Sequence, residues 1–186
     1  MIGTPLPSLN AEQNLNPELQ TPIETPEGEL HLRFFVNSGT EYALPAIGIR
    51  EVLEYSPDRI NPMPNISPLL LGTINIRGRV IWVGDLSQFL GEQLQVNTDK
   101  AEISIIAIED KGVVLGLAID RISAMTWLEP AKLETKRTTD PINQFVKGQW
   151  LIQPPNSPDN LIEPAEPTVL KLLDHVSILQ SSRWAA

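Results

Sequence analysis

The stretch that decides the fold is LLLGTINIRGRVIWVGDLSQFL, residues 69–90. Its first part alternates apolar and polar side chains, with Ile74 and Ile76 on one face, which is the period-two pattern of a half-buried strand. Gly78 then supplies the backbone freedom that a tight turn needs. The continuous apolar run VIWV at 80–83 predicts a second strand that is covered on both faces. We therefore expect a β-hairpin here.

A short helix and a polar rim complete this stretch. Asp85 is followed three residues later by Gln88, which is the spacing of a capping box, so we expect a helical segment over residues 86–90. Three polar side chains surround the predicted turn, namely Asn75, Arg77 and Arg79. They are either solvated side chains at the end of a hairpin or part of a contact surface, and the pattern leaves both interpretations open.

Composition limits the classes of function. The chain has 186 residues, of which 41% are hydrophobic, and this is enough for one core or two small ones. Its formal net charge of −9 repels a phosphate backbone, so we expect no binding to nucleic acid. The absence of cysteine, of a signal peptide and of a long apolar run predicts a cytoplasmic protein without membrane insertion.

Reactive side chains are scarce. The chain has two histidines, His31 and His175, and neither has a second residue at metal-ligand spacing. It also lacks cysteine, a glycine-rich phosphate loop and a dinucleotide fingerprint. The sequence therefore predicts a protein that is not an enzyme, with no catalytic residues, no metal and no cofactor. Trp184 lies in a segment that is expected to fray, although an exposed aromatic anchor is the alternative.

Outside the decisive stretch, the chain consists mainly of short strand patterns separated by turn signals. A shift of about 73 residues superimposes Leu44 on Leu117 and Ile49 on Ile122, and a larger shift places Asp85 on Asp174. Self-similarity of this kind indicates two related β-units. Each unit has about five short strands at close spacing, which predicts two small closed five-stranded β-barrels in an all-β fold with one or two short helices.

Two segments fall outside this pattern. Residues 1–28 are rich in proline and glutamate and have no periodic apolar face, so we expect a flexible tail, with a short docking segment as the alternative. Residues 153–167 contain five prolines and predict an irregular insertion in the second unit. The predicted folded domain therefore covers residues 29–186.

The runs YALPAIGIREVLEY (42–55), LLLGTINIRGRVIWVGDL (69–86) and VVLGLAIDRISAM (113–125) resemble the CheW-like adaptor proteins of bacterial chemosensory arrays. The block from Gly72 to Gly78 is the most specific mark of this resemblance. It implies a pair of five-stranded β-barrels and a non-catalytic adaptor that couples methyl-accepting receptors to a chemotaxis-type histidine kinase. The proline-rich tail and the 153–167 insertion depart from the family pattern, and a specialised array for type IV pilus motility or phototaxis would accommodate them.

The resemblance also implies contact residues. The tip of the receptor, a helical hairpin, would contact a groove between the barrels, at positions that are Ile49, Glu51, Gly72, Asn75 and Arg77 in this chain. Arg77 would bind carboxylates or carbonyls, and Glu51 would orient Arg77 or fix the register. The kinase regulatory domain would contact the second barrel, for which the resemblance assigns no residues. Such a protein would be cytoplasmic and peripheral to membrane-associated receptor arrays. Two alternatives stay open at this point, a regulatory module of a larger signalling enzyme and a small-molecule-binding β-barrel.

Overall fold

The computed structural model describes residues 27–135, 141–152 and 167–185. The predicted tail and the predicted insertion lie almost wholly outside these residues. The elements in chain order are β1 (Glu29–Phe35), β2 (Glu41–Pro45), β3 (Ile49–Tyr55), β4 (Leu70–Ile76), β5 (Arg79–Asp85), α1 (Leu86–Phe89), β6 (Ile103–Asp110), β7 (Val113–Ile119), β8 (Arg121–Leu128), β9 (Val146–Ile152), β10 (Thr168–Leu173) and α2 (His175–Leu179). A short 3₁₀ turn, Ala46–Gly48, joins β2 to β3 and is called the 46–48 turn below.

The ten strands form two five-stranded sheets, as the sequence predicts. The first sheet has the order β8-β1-β2-β10-β9, and the second has the order β3-β6-β7-β5-β4. The two orders are equivalent. Exchanging β1 with β6, β2 with β7, β3 with β8, β4 with β9 and β5 with β10 converts the first order into the second. The two repeats are therefore β1–β5 with α1 and β6–β10 with α2. The expectation that each repeat forms a five-stranded unit of its own is wrong, because each sheet combines two strands from one repeat with three from the other. The pairs β2–β10 and β5–β7 are parallel, and the remaining pairs are antiparallel.

The expectation of closed barrels is wrong. In the described part of the chain, the edge strands β3 and β4 of the second sheet are joined to each other by no ladder, and the same holds for β8 and β9 of the first. The gap between the two edge strands of a sheet is called its seam below. A single bridge connects the chain across one end of each seam, Asn61 with Thr73 in the second sheet and Glu134 with Gln149 in the first. The connection between β3 and β4 contains four prolines, which have no N–H to donate to a ladder. Within the described residues, each sheet is consequently open.

Three apolar clusters hold the sheets together. The largest lies between the sheets and contains Phe34, Ile106 and Leu117 from the strands together with Phe89 of α1 and Ile178 of α2. A second cluster comes mostly from the second sheet and a third mostly from the first, so each sheet also packs around a small core of its own. The shared central cluster explains why both repeats are needed to bury the apolar faces.

The decisive stretch folds as the predicted hairpin and capped helix. Arg77 and Gly78 form a two-residue turn in which both have positive φ, +51° and +83°, as the type I′ hairpin turn requires. Asp85 caps α1, accepting from the Gln88 N–H at 3.2 Å, and is fully buried. The expectation that β5 is covered on both faces is wrong, because Val80 and Trp82 are exposed. Alternate side chains in the first part of β5 point away from the core and, among the described residues, are not covered by a further layer.

The end of the described chain is packed against the core. The indole of Trp184 stacks on Phe89 with 4.3 Å between ring centroids, and its Nε1–H donates to the Ile178 carbonyl oxygen at 2.7 Å. Gly84 of β5 lies against the same indole. The expectation of a frayed segment at Trp184 is therefore wrong, because this side chain fills a place in the shared core.

Candidate functional site

The β4–β5 hairpin positions Arg77 at the open seam of the second sheet. Asn75 shapes the turn, since its Oδ1 accepts from the Gly78 N–H at 2.8 Å. The Arg77 side chain is 86% exposed and reaches across to β3, where a guanidinium nitrogen lies 3.4 Å from Glu51 Oε2. Because β3 and β4 are the two edges of this sheet, the Glu51–Arg77 contact spans the seam at the end opposite the Asn61–Thr73 bridge.

A cavity of about 300 Å³ opens beside this contact and is called the seam cavity below. Its walls carry three arginines and one carboxylate, and its apolar lining includes Ile81 and Ala107. The charged residues that line it are Arg50, Glu51, Arg77 and Arg79. In a chain with a formal net charge of −9, three guanidinium groups around one opening form a local cationic surface.

The three arginines are not equally available to a partner. Arg50 binds Glu109 at 2.6 Å, and Arg79 donates to the carbonyl oxygen of Gly112. Arg77 has a longer contact, 3.4 Å to Glu51, and its side chain is 86% exposed, compared with 42% for the side chain of Arg50. An exposed ion pair of this kind contributes little to stability, so Arg77 can exchange Glu51 for a carboxylate on another molecule at little cost.

The five residues singled out by the resemblance have different surroundings. Glu51 and Arg77 are in contact, and Asn75 stands in the same hairpin. Ile49 is half-buried and packs against the cluster between the sheets. Gly72 is buried with φ of +142°, and a Cβ at this position would lie 2.3 Å from the carbonyl oxygen of Asn61. The absence of a side chain at Gly72 thus allows the bridge between Asn61 and Thr73 to form.

The sequence did not single out one charged residue of the seam cavity or several exposed apolar side chains outside it. Arg50 directly precedes Glu51, yet both line the seam cavity, and the register of β3 against β6 shifts at this point. Ile47, at the centre of the 46–48 turn, is 95% exposed. On the edge strand β8, Met125 and Trp127 are also exposed, opposite Leu32 and Leu30 of β1. A large apolar side chain in a loop such as PAIGI is the signal that could have identified Ile47.

Other titratable groups serve the framework. Burial raises the pKa of Asp85, although the N–H groups of Val96, Gln88 and Ser87 oppose the shift. For Asp174 burial acts in the same direction, but hydrogen bonds from Ser177 and Val176 together with Lys147 hold the pKa of this carboxyl below its usual value.

The described residues contain neither a cluster of metal-ligating side chains nor a helix that could span a membrane. No group of three or more His, Asp or Glu side chains within residues 27–135, 141–152 and 167–185 is arranged to hold a metal ion. In the same part of the chain, no helix has the length and apolar character needed to cross a lipid bilayer.

Comparison with known proteins identifies the family. Residues 31–182 match the sequence model of the CheW-like domain. The chain belongs to the CheW-like family. Among curated relatives it is 30% identical to a chemotaxis protein CheW of Bacillus subtilis over 133 residues, which covers 68% of this chain and 81% of that protein. It is 31% identical to CheW of Thermotoga maritima over 101 residues, covering 54% of this chain and 63% of the relative.

A solved structure shares the CheW-like fold. The crystal structure of the scaffolding protein TtCheW from Thermoanaerobacter tengcongensis superimposes with a TM-score of 0.67. The match covers 88% of this chain and 95% of TtCheW at 19% sequence identity. The two-sheet architecture described above is therefore that of a CheW-like domain.

Proposed function

We propose that this CheW-like protein is a non-catalytic chemotaxis scaffold that couples methyl-accepting receptors to a chemotaxis-type histidine kinase. Membership of the CheW-like family supports the scaffold role, and relatives named as chemotaxis proteins support the pathway. The protein would act in the cytoplasm at membrane-associated receptor arrays. Whether the output is flagellar, pilus-based or phototactic depends on the receptor and kinase that it joins.

The Glu51–Arg77 contact is the observation that supports the receptor site most directly. It places a largely exposed guanidinium at the seam cavity, with two further arginines in the lining. A receptor tip is a helical hairpin, and an acidic or carbonyl-bearing position on it would replace Glu51 as the partner of Arg77. Charge pairs of this kind set the orientation and register of a complex more than its total affinity.

The remaining contacts would be apolar and would lie on the side of β3 that faces the 46–48 turn. Ile49 is half-buried, so its contribution to a partner is limited to its exposed part, whereas Ile47 in the preceding turn is almost fully exposed. We assign the main apolar contact to Ile47 together with Ile49. Gly72 and Asn75 would support the site by fixing the seam and the hairpin turn.

The kinase contact is assigned to the first sheet, which contains three strands of the second repeat. Two apolar side chains, Leu151 on β9 and Val169 on β10, are exposed and stand opposite each other in the ladder of that sheet. They offer a flat apolar patch away from the seam cavity. A homologous β-unit in the kinase regulatory domain is the partner that this surface would take.

Binding to a purified receptor-tip fragment tests the receptor site. We expect Arg77→Glu to weaken binding by at least about tenfold, since it replaces an attractive charge with a repulsive one at the rim of the interface. Lys132→Glu is the matched control, because Lys132 is also exposed, pairs with a carboxylate and lies outside the seam. Equal binding by Arg77→Glu and the control variant would show that the receptor site lies elsewhere.

A second candidate function is supported by another cavity, of about 530 Å³, next to the uncovered face of β5. It is lined by Trp82, Trp184, Leu70 and Leu115 with Ser67 and Gln180 at polar positions. Its size and apolar walls suit an uncharged small molecule. Calorimetry against a metabolite panel distinguishes the two functions, because saturable micromolar binding that is lost in Trp82→Ala would favour the small-molecule role.

A further inference from the structure

The His175 ring is packed directly against the backbone of the 46–48 turn. His175 is the first residue of α2, and Gly48 closes the 46–48 turn. A Cβ added at Gly48 would lie 2.4 Å from His175 Cγ and 2.5 Å from Nδ1, so only a glycine fits beneath the ring. The contact joins α2 of the second repeat to the segment that leads into β3.

The chemistry of this contact requires a neutral imidazole. His175 Nδ1 is buried, and it has no hydrogen-bond partner within the described residues. In the neutral ring with its proton on Nε2, Nδ1 is a weakly solvated acceptor. The ring as a whole is half-buried, but Nδ1 itself is shielded from water, so protonation would create a charged donor there with no acceptor among the described residues, which is less favourable.

The charged groups around the ring do not remove this preference. Burial lowers the pKa of His175 below its usual value, and Lys147 on β9 acts in the same direction. Asp174, which caps α2, and Asp110 on β6 act against it. The 46–48 turn itself carries no charged side chain. The net effect lowers the pKa of His175, so the neutral ring is favoured relative to a histidine in water.

The internal repeat shows what a packing role alone would use. In the first repeat the capping Asp85 is followed by Leu86, which is fully buried and apolar. In the second repeat the capping Asp174 is followed by His175. A leucine would fill this place without leaving a polar atom unpartnered, so the histidine carries a cost that packing does not explain.

We propose that His175 is a positioning residue whose neutral ring holds the 46–48 turn, and with it Ile47 and the start of β3, in the conformation that binds a partner. Protonation of the ring releases the turn and weakens binding as the pH falls. The effect on the turn follows from the contact with Gly48 alone, whereas the identity of the partner rests on the proposed function.

The first test follows the turn without any partner. NMR spectra of the ¹⁵N-labelled full chain are recorded between about pH 8 and pH 5, and the amide shifts of Ile47 and Gly48 are measured. We expect one titration with a midpoint below the ordinary histidine value of about 6.5. It disappears in His175→Leu, which carries the residue of the first repeat, and in His175→Gln. It persists in His31→Gln, since these are the two histidines of the chain.

The second test measures affinity for the receptor-tip fragment across the same range. The affinity of the wild type should fall as the pH is lowered, by up to about tenfold for each pH unit that separates the His175 pKa in the free protein from that in the complex. The affinity of His175→Leu should not show this dependence. Loop shifts that titrate equally in wild type and His175→Leu, or that do not titrate in wild type, overturn the positioning role. If the shifts behave as expected but the fragment binds at no pH, the positioning role holds and the receptor assignment fails.

Discussion

Replacing Gly72 by alanine should break the Asn61–Thr73 bridge at the seam of the second sheet and destabilise the protein. Gly72 has φ of +142°, a region that is nearly restricted to glycine, and holding alanine there costs about 1–3 kcal/mol. The new Cβ would also lie 2.3 Å from the carbonyl oxygen of Asn61, which is a backbone atom and cannot swing aside.

The displaced atoms belong to the bridge that closes one end of the seam. Asn61 N–H donates to the Thr73 carbonyl at 2.8 Å, and Thr73 N–H donates to the Asn61 carbonyl at 2.9 Å. Each such hydrogen bond contributes about 0.5–1.5 kcal/mol net. Loss of both, added to the backbone strain, gives a destabilisation of about 2–6 kcal/mol, which is a large part of the 5–15 kcal/mol typical of a domain.

Gly78→Ala is the matched control for this experiment. Gly78 also has positive φ, +83°, but an added Cβ meets no atom within 4 Å. We expect this variant to lose only about 1 kcal/mol, the cost of placing alanine in a left-handed turn. Urea unfolding followed by circular dichroism measures both free energies. If Gly72→Ala lost no more stability than Gly78→Ala, the account of the seam would be refuted.

Further predictions concern the caps, the C-terminal packing and pH. Asp85→Ala should lower the free energy of urea unfolding by about 2–4 kcal/mol, because both carboxylate oxygens accept from backbone N–H groups in a buried site. Asp174→Ala changes a partly exposed cap and should lower it clearly less. A larger loss in Asp174→Ala than in Asp85→Ala would contradict this explanation. Trp184→Ala should cost about 3–5 kcal/mol, since the indole stacks on Phe89, and an unchanged midpoint would mean that this segment is not packed in solution. The pKa of His175 is lower in the folded protein than in the unfolded chain, where it is about 6.5. The stability that its neutral form contributes is therefore fully present above a pH of about 6.5 and is lost as the pH falls through the pKa of the folded state. His175→Leu should remove this part of the pH dependence.

Local features of the fold could be predicted because they are encoded by neighbouring residues. The period-two alternation of residues 72–76, the turn at Gly78 and the cap at Asp85 each depend on contacts a few positions apart. The equivalence of Asp85 and Asp174 could also be found, since both begin a short helix after a strand. The arrangement of the strands could not be found in this way. Alternation shows that a strand has a buried face, but it does not determine that β1 pairs with β8 or that β2 lies beside β10.

Parts of the candidate site depend on the same non-local arrangement. The resemblance named Glu51 and Arg77, and the structure brings their side chains within 3.4 Å across the seam. Arg50 and Ile47 could not be assigned, because their positions depend on the register shift in β3 and on the turn before it. His175 could be excluded as a metal ligand from its spacing, but its contact with Gly48 joins residues from different repeats and leaves no local pattern.

In the proposed function, one chain holds a receptor and a kinase at the same time. Sedimentation velocity of the protein mixed with a receptor-tip fragment and the kinase regulatory domain measures this directly. We predict a ternary complex that forms only when the protein is present, and that Arg77→Glu loses the receptor fragment while it keeps the kinase domain. Competition between the two partners, or the absence of any complex with either, would contradict the account.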